Sequence, residues 1–177
     1  ENYNDKLDAD GREYSTRILR SAQRLDRLVQ DLLAYSRISR AELKFENVEL
    51  EKVISEIKRN HDDEIASANA SVQTGPLHAV FAYEPTLNLI ISNLVTNALK
   101  FVKEGVPPTI KIWSEEANGR VRVWVEDNGI GIREDGISKI FGVFQRLHPV
   151  EKFPGTGIGL AIVQKGAERM GGSAGVE

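Results

Sequence analysis

Apolar residues recur at helical spacing through residues 12–40. Ile18, Ala22, Leu25, Val29 and Leu32 step by four, three, four and three, which is a heptad seam. Leu19, Leu28 and Leu33 widen the seam into a stripe that suits a helical bundle better than a two-stranded coil. Asp8, Asp10 and Gly11 read as a turn and helix start, with Glu13 as the capping partner of Asp10. Residues 1–7 then fit the tail of a preceding helix. A plain amphipathic surface helix would share the periodicity, but a stripe this long and wide calls for a large apolar partner.

The pattern changes near residue 42. Phe45, Val48 and Leu50 suggest a short strand, and Val53, Ile54, Ile57 and Ile65 place a helix over 50–66. Short extended segments follow over 71–82. Pro85 fits the first turn of a helix running to about Phe101. Residues 109–115 and 120–127 alternate apolar and polar around Asn118-Gly119, a strong hairpin signal. A loop-rich stretch spans 128–155, and a helix over 157–170 is stopped by Gly171-Gly172. The expected class is α+β, an antiparallel sheet with helices on one face.

Composition narrows the possibilities. The 177 residues allow one substantial domain plus an appendage. A net charge of −3 gives no electrostatic footprint for nucleic acid. With no cysteine, disulfides and thiolate metal sites are excluded. No apolar run approaches a membrane span, and no signal-peptide pattern is visible. The chain opens on Glu1 rather than Met, so it reads as a piece of a longer protein. Asn69-Ala70-Ser71 matches a glycosylation sequon and is taken as chance.

Candidate chemistry lies in three places. On the helix from 85 to 101, Leu87, Ile91, Leu94, Val95, Ala98 and Val102 share one face, and Asn93, Asn97 and Lys100 form a narrow strip on another. A solvated strip is the plain alternative, yet asparagine is a poor helix former, and Glu or Lys would serve a bare surface better. An asparagine carbonyl can ligate Mg2+, and a lysine can neutralise phosphate. Asp127 follows the apolar run Val121, Val123, Val125, where the core ends and a pocket can begin. Its carboxylate could accept from the adenine amine but cannot serve the guanine O6. Gly129 and Gly131 allow close approach to a flat ring, although an Asp-Gly turn alone is common. Gly155, Gly157 and Gly159 lead straight into a helix and read as a phosphate cradle. The loop lacks the Lys-Ser or Lys-Thr of a Walker A loop, and its third glycine falls one residue early for a dinucleotide fingerprint.

Taken together these segments resemble the ATP-binding domain of sensor histidine kinases, in the GHKL superfamily. NLVTNALKF resembles the asparagine box, DNGIGI the first glycine box, IFGVFQRLH the phenylalanine box and GTGIGLAIV the second glycine box, in the family order. Residues 7–39 resemble the second helix of the family's dimerisation and phosphotransfer bundle. The wording FQRLH, FPGTGIGLAIV and ERMGG is nearest to the phytochrome-like subgroup.

The resemblance implies a Bergerat-type two-layer α/β sandwich over 42–177, preceded over 1–41 by a bundle remnant. It implies ATP and Mg2+ as cofactors, with Asn97 on the metal and Asn93 on phosphate or metal. Lys100 would contact phosphates, Asp127 the adenine amine, and Gly129 and Gly131 the base. Phe141 and Phe144 would anchor a lid over 145–156, although spacing alone suits a core role equally. Gly155, Thr156, Gly157, Gly159 and Leu160 would hold the phosphate end. A response-regulator receiver domain and a homodimer formed through the bundle are implied for the whole protein, and a cytoplasmic location for this part of it, whether the parent is soluble or membrane-anchored.

Two features depart from the family pattern. The acceptor histidine and its acidic neighbour are missing: His61, followed by Asp62-Asp63, lies after the bundle helix and reads as an exposed helix histidine. The chain also stops at Glu177, where the family continues into a last strand. Two other readings stay open. One is a GHKL module that hydrolyses ATP for conformational work, whose nearest candidate glutamate is Glu84. The other is a non-catalytic dimerisation or scaffold module.

Overall fold

The computed structural model describes residues 7–40, 42–149 and 153–177, so most of the expected preceding-helix tail lies outside the described residues. Helix α1 spans Ala9–Arg40. Its cap is Asp8 rather than Asp10: the Asp8 Oδ1 accepts from the Gly11 N–H at 2.8 Å, satisfying one of the free amides of the first turn. Glu13 faces Arg17 instead of the cap. The apolar stripe of α1 is largely open to solvent, with Ile18 69% and Leu25 63% exposed. Only its C-terminal end is covered. There Ile38 is buried with Ile158 and Ile162, and Ala34 and Tyr35 pack against them.

Strand β1 (Glu46–Glu49) leads directly into α2 (Leu50–Asn60), and α3 (Asp62–Ser67) follows. The single helix expected over 50–66 is therefore two. His61, at φ −112° and ψ 18°, breaks it. Its ring explains the break, since it bonds the carboxylate of Glu64 at 2.5 Å and the Ser92 hydroxyl at 3.0 Å. His61 is also not the exposed helix histidine of the sequence reading, because its side chain is only 17% exposed.

Strands β2 (Ser71–Thr74) and β3 (Ala79–Ala82) precede α4 (Glu84–Lys100). Strands β4 (Thr109–Ala117) and β5 (Arg120–Asp127) form the expected hairpin, with Asn118 and Gly119 both at positive φ. The sheet is not purely antiparallel. β2 pairs with β4 in parallel, β4 with β5 antiparallel, and β1 with β3 as a separate antiparallel ribbon. A short α5 (Glu134–Ile137) and α6 (Gly159–Arg169) complete the order.

Alternation along β4 turns Ile110, Ile112 and Ser114 inward. Ile110 and Ile112 meet Leu50, Val53, Ile54 and Ile57 of α2 and Leu87, Ile91, Val95 and Ala98 of α4 in one core. The buried face of α4 also includes Thr86 and Ile90, whereas Leu94 is only half-buried and Val102 lies beyond the helix end. Packing α4 on this core holds its Asn93–Asn97–Lys100 strip at the side facing α6.

Candidate nucleotide-binding site

Two helices meet closely because one of them has a glycine at the contact. A Cβ at Gly166 of α6 would stand 2.8 Å from Ile90 Cδ1 and 3.0 Å from Thr86 Cγ2 of α4. The same approach brings the N-terminus of α6 onto the asparagine strip. A Cβ at Gly159 would lie 2.8 Å from Asn93 Oδ1 and 3.9 Å from Asn97 Nδ2. The Asn93 amide donates to the Leu89 carbonyl at 2.8 Å, which turns its oxygen toward Gly159. One turn on, a Cβ at Gly155 would stand 2.7 Å from Lys100 Nζ. The glycine loop thus lies against all three strip residues, and the positive end of the α6 dipole points the same way.

The cationic side of this region is strained. Lys100 lies 4.1 Å from the centre of the Phe101 ring. Burial, and then the neighbouring Arg146 guanidinium, push its pKa down from 10.5 to about 8, against a weaker opposing pull from Asp31. An anion placed here would relieve that strain. Among the described residues no cluster of His, Asp and Glu could hold a metal by itself. An asparagine carbonyl oxygen suits a hard cation that arrives together with phosphate oxygens, since neutral carbonyl ligands add no charge.

Asp127 ends β5 and is exposed. Its Oδ1 accepts from the Gly129 N–H at 2.8 Å, so one carboxylate oxygen shapes the turn. Its Oδ2 makes no hydrogen bond among the described residues. Gly129 is required by packing: a Cβ there would stand 2.5 Å from the Phe101 carbonyl oxygen, which also accepts from the Ile130 N–H at 2.8 Å. That contact ties the Asp127 turn to the C-terminus of α4. Gly131, at φ 71°, has open space beside it.

Phe144 is 55% exposed and holds φ 63°, so it is no core residue; Phe141 is half-buried. A left-handed backbone at a bulky residue is a strained element of the kind found at ligand clamps. The neighbouring lid segment contains more anchoring than its sequence suggests. Phe153 is buried against Phe101 and His148, and Arg146 donates to the carbonyls of Gly155 and of Phe153, the latter at 2.7 Å. Residues 150–152 of the expected lid lie outside the described residues. Gly157, at φ 77°, packs against Gln145 and Arg146. Thr156 turns outward from the cradle, donating to Asp31 of α1 and accepting weakly from the Ile158 N–H. Leu160 is half-buried in the first turn of α6.

Sequence reasoning missed Arg146, Phe153, Phe101 and Asp31. A cation within the lid was a readable signal for Arg146. Nothing local marks Asp31, which is 125 residues from Thr156. A cleft of about 550 Å3 at the other end of α4 is bounded by Glu46, Glu56, Glu84, Asn88 and Ser92 and holds none of the expected site residues.

An asparagine helix, a carboxylate at a strand end and a glycine loop opening a helix thus lie on one mixed two-layer α/β frame. The chain belongs to the family of histidine kinase-, DNA gyrase B- and HSP90-like ATPases, whose match covers residues 82–177. It is 37% identical over 163 residues to cyanobacterial phytochrome A of Nostoc sp. (strain PCC 7120), covering 92% of this chain and 21% of that protein. It is 30% identical to the phytochrome-like protein Cph1 of Synechocystis sp. (strain PCC 6803), covering 92% and 22%. The chain thus spans about a fifth to a quarter of the curated relatives it matches.

Among solved structures it resembles full-length ShkA in complex with AMPPNP, with a TM-score of 0.75 at 30% identity, covering 99% of this chain and 37% of that one. It also resembles histidine kinase ThkA in complex with the response regulator TrrA, with a TM-score of 0.68 at 27% identity, covering 94% and 47%. Among the described residues no helix is long and apolar enough to cross a membrane.

Proposed function

We propose that the chain is the catalytic core of a two-component sensor histidine kinase, with residues 42–177 as the ATP-binding domain and residues 1–41 as part of the dimerisation bundle. The observation that carries the reading is the closure of the glycine loop on the asparagine strip: Gly159 on Asn93 and Asn97, and Gly155 on Lys100. Asn97 would hold Mg2+ beside the phosphates, with Asn93 assisting, while the backbone of Gly155, Gly157 and Gly159 lines the phosphate end. Bound Mg2+ would supply charge neutralisation on the phosphate oxygens. Asp127 Oδ2 is free to accept from an adenine amine, with Gly131 leaving room for the ring. Phosphoryl transfer is mainly positioning and charge stabilisation, which these residues are placed to provide.

In the whole protein the γ-phosphoryl group would pass to a histidine and then to an aspartate of a response regulator, with two copies meeting through the bundle. The exposed apolar stripe of α1 supports that last part. The three histidines of this chain are poor acceptors. His61 is held by Glu64 and Ser92, His78 bonds Ser114 at 2.9 Å, and His148 lies in the aromatic cluster with Phe101 and Phe153. ATP hydrolysis driven by Glu84 is disfavoured, because Glu84 and Asn97 stand thirteen residues apart on α4, about 20 Å along the axis.

Calorimetry with ATP and GTP, each with Mg2+ and with a chelator, tests the reading. ATP should bind with Mg2+ dependence and in preference to GTP. Equal affinity for GTP would remove Asp127 from adenine recognition, and no binding of either nucleotide would favour a scaffold.

A further inference from the structure

The arginines of α1 are not scattered. Arg20, Arg24 and Arg27 follow at steps of four and three, and Asp31 continues the same strip four residues later. Asp31 is pinned by the Thr156 hydroxyl, so this strip, not the apolar seam, faces the glycine loop. Between them lies a cleft of about 320 Å3, bounded by Arg20, Arg24 and Arg27 on one wall and by Pro154, Gly155 and Thr156 on the other.

Among the described residues no carboxylate is ion-paired with any of the three arginines. Solvated arginines on a helix are ordinary. Three on one strip, unpaired and walling a cleft with the phosphate loop, are not accounted for by solubility alone. Gly155 borders this cleft and also packs against Lys100, and Arg146 donates to its carbonyl. Five cations therefore surround Gly155 and Thr156, with Asp31 as the acid among them. A like-charge cluster of this kind is stabilised by a multiply charged anion, and guanidinium forks match phosphate oxygens.

We propose that Arg20, Arg24 and Arg27 form an anion subsite that receives the terminal phosphate of the bound nucleoside triphosphate, so that α1 is part of the nucleotide site. The inference rests on the nucleotide reading above and extends it. A diphosphate ends before the cleft and engages only Lys100 and the loop amides. A triphosphate reaches across and fastens α1 to the domain. The bundle helix thereby senses which nucleotide is bound.

The test is calorimetry of the 177-residue chain with Mg2+ and either AMPPNP or ADP, comparing the wild type with Arg20→Gln/Arg24→Gln/Arg27→Gln. AMPPNP affinity should fall about tenfold or more, and ADP affinity should change less than twofold. Retained ADP binding also reports that the variant is folded. Arg17→Gln/Arg37→Gln/Arg40→Gln removes equal charge from α1 outside the cleft and should leave both affinities within twofold. Equal AMPPNP affinity in wild type and cleft variant overturns the subsite while leaving the nucleotide reading intact. An equal fall for ADP, or the same fall in the control variant, overturns it in favour of general charge attraction. A wild type that binds neither nucleotide overturns the nucleotide reading itself, and the subsite with it.

Discussion

The two ends of α4 offer contrasting chemistry on one helix. At the N-terminal end Glu84 joins Glu46 and Glu56 around the larger cleft, and Ser92 beneath it bonds His61. At the C-terminal end Asn97 and Lys100 meet the glycine loop, and Arg146 and Arg24 stand nearby. The N-terminal end gains by attracting acids to a helix dipole, and three carboxylates there repel phosphate. The C-terminal end has a lysine whose charge is under strain, glycines where side chains would clash, and the N-terminus of α6 aimed into it. Cleft size points to the N-terminal end. The sign of the charge and the positions that tolerate no side chain point to the other, where we propose that the nucleotide sits.

The sharpest way to break this contrast is to look for phosphorylation at the acidic end. Incubation of the chain with labelled ATP should give no acid-labile label, because His61 is committed to Glu64 and Ser92. Label on His61 would make the acidic end the acceptor and reverse the assignment.

Next in size is Gly159→Val, which forces side-chain atoms onto Asn93. Nucleotide affinity should fall on the order of 100-fold, since overpacking of about 1–3 kcal/mol is directed at the ligand-facing atom. The matching change at the other end, Glu84→Gln, should leave affinity within about twofold. Calorimetry on the pair decides, and the contrast is lost if Glu84→Gln has the greater effect.

Asp127→Asn should weaken ATP binding by about 1–3 kcal/mol, the range for a hydrogen bond to a charged group, and should affect GTP less. Part of any loss comes from the turn that Asp127 Oδ1 shapes with Gly129, so the ATP-to-GTP ratio is the quantity to read.

A smaller effect separates the loops. Hydrogen exchange with and without a non-hydrolysable ATP analogue should show added protection at residues 145–149 and 153–156, and none around Glu46 and Glu84. Unchanged protection over the lid at saturating ligand would mean that the Arg146 and Phe153 contacts already hold it in its bound form.

The smallest effect is one of pH. Lys100 has its pKa lowered to about 8. A bound polyphosphate favours the charged form and raises that pKa. Below pH 8 Lys100 is already protonated and affinity should be flat. From pH 8 upward binding takes up as much as one proton, so affinity should fall, by no more than about tenfold per pH unit. Calorimetry at pH 8.5 in two buffers of different ionisation enthalpy should show that uptake, and Lys100→Met should abolish it. The same shift sets a stability trend with the opposite sign. A depressed lysine opposes folding most below pH 8 and less as pH rises toward 10.5.

How legible the molecule was differs by element. The β4–β5 hairpin and α4 were readable because their signals are local: Asn118-Gly119 supplies the positive φ values, and Pro85 preorganises the first helical turn. The break at His61 was not readable, because helical periodicity continues to Ile65 and the competing bonds come partly from Ser92, 31 residues away. The parallel pairing of β2 with β4 was missed for the same reason, since a four-residue strand contains no signal of its partner or direction. In the site, the glycine boxes and the asparagine strip are legible because each needs particular residue types at fixed local spacing.

The sequence by itself determined most of the elements and the chemical groups: a glycine loop opening a helix, a strip of two asparagines and a lysine, a carboxylate at a strand end, and a seam along α1. Local spacing and backbone freedom settle these, and both are written in neighbouring residues. Only the tertiary structure decided which groups share a neighbourhood. Gly166 lets α6 close on Ile90 and Thr86, and that contact delivers Gly159 to Asn93. Thr156 reaches Asp31 and turns the basic strip of α1 toward the loop. Such meetings depend on packing between segments from 66 to 125 residues apart, where burial of residues such as Ile38, Ile158 and Ile162 fixes the geometry and no local rule along the chain can specify it.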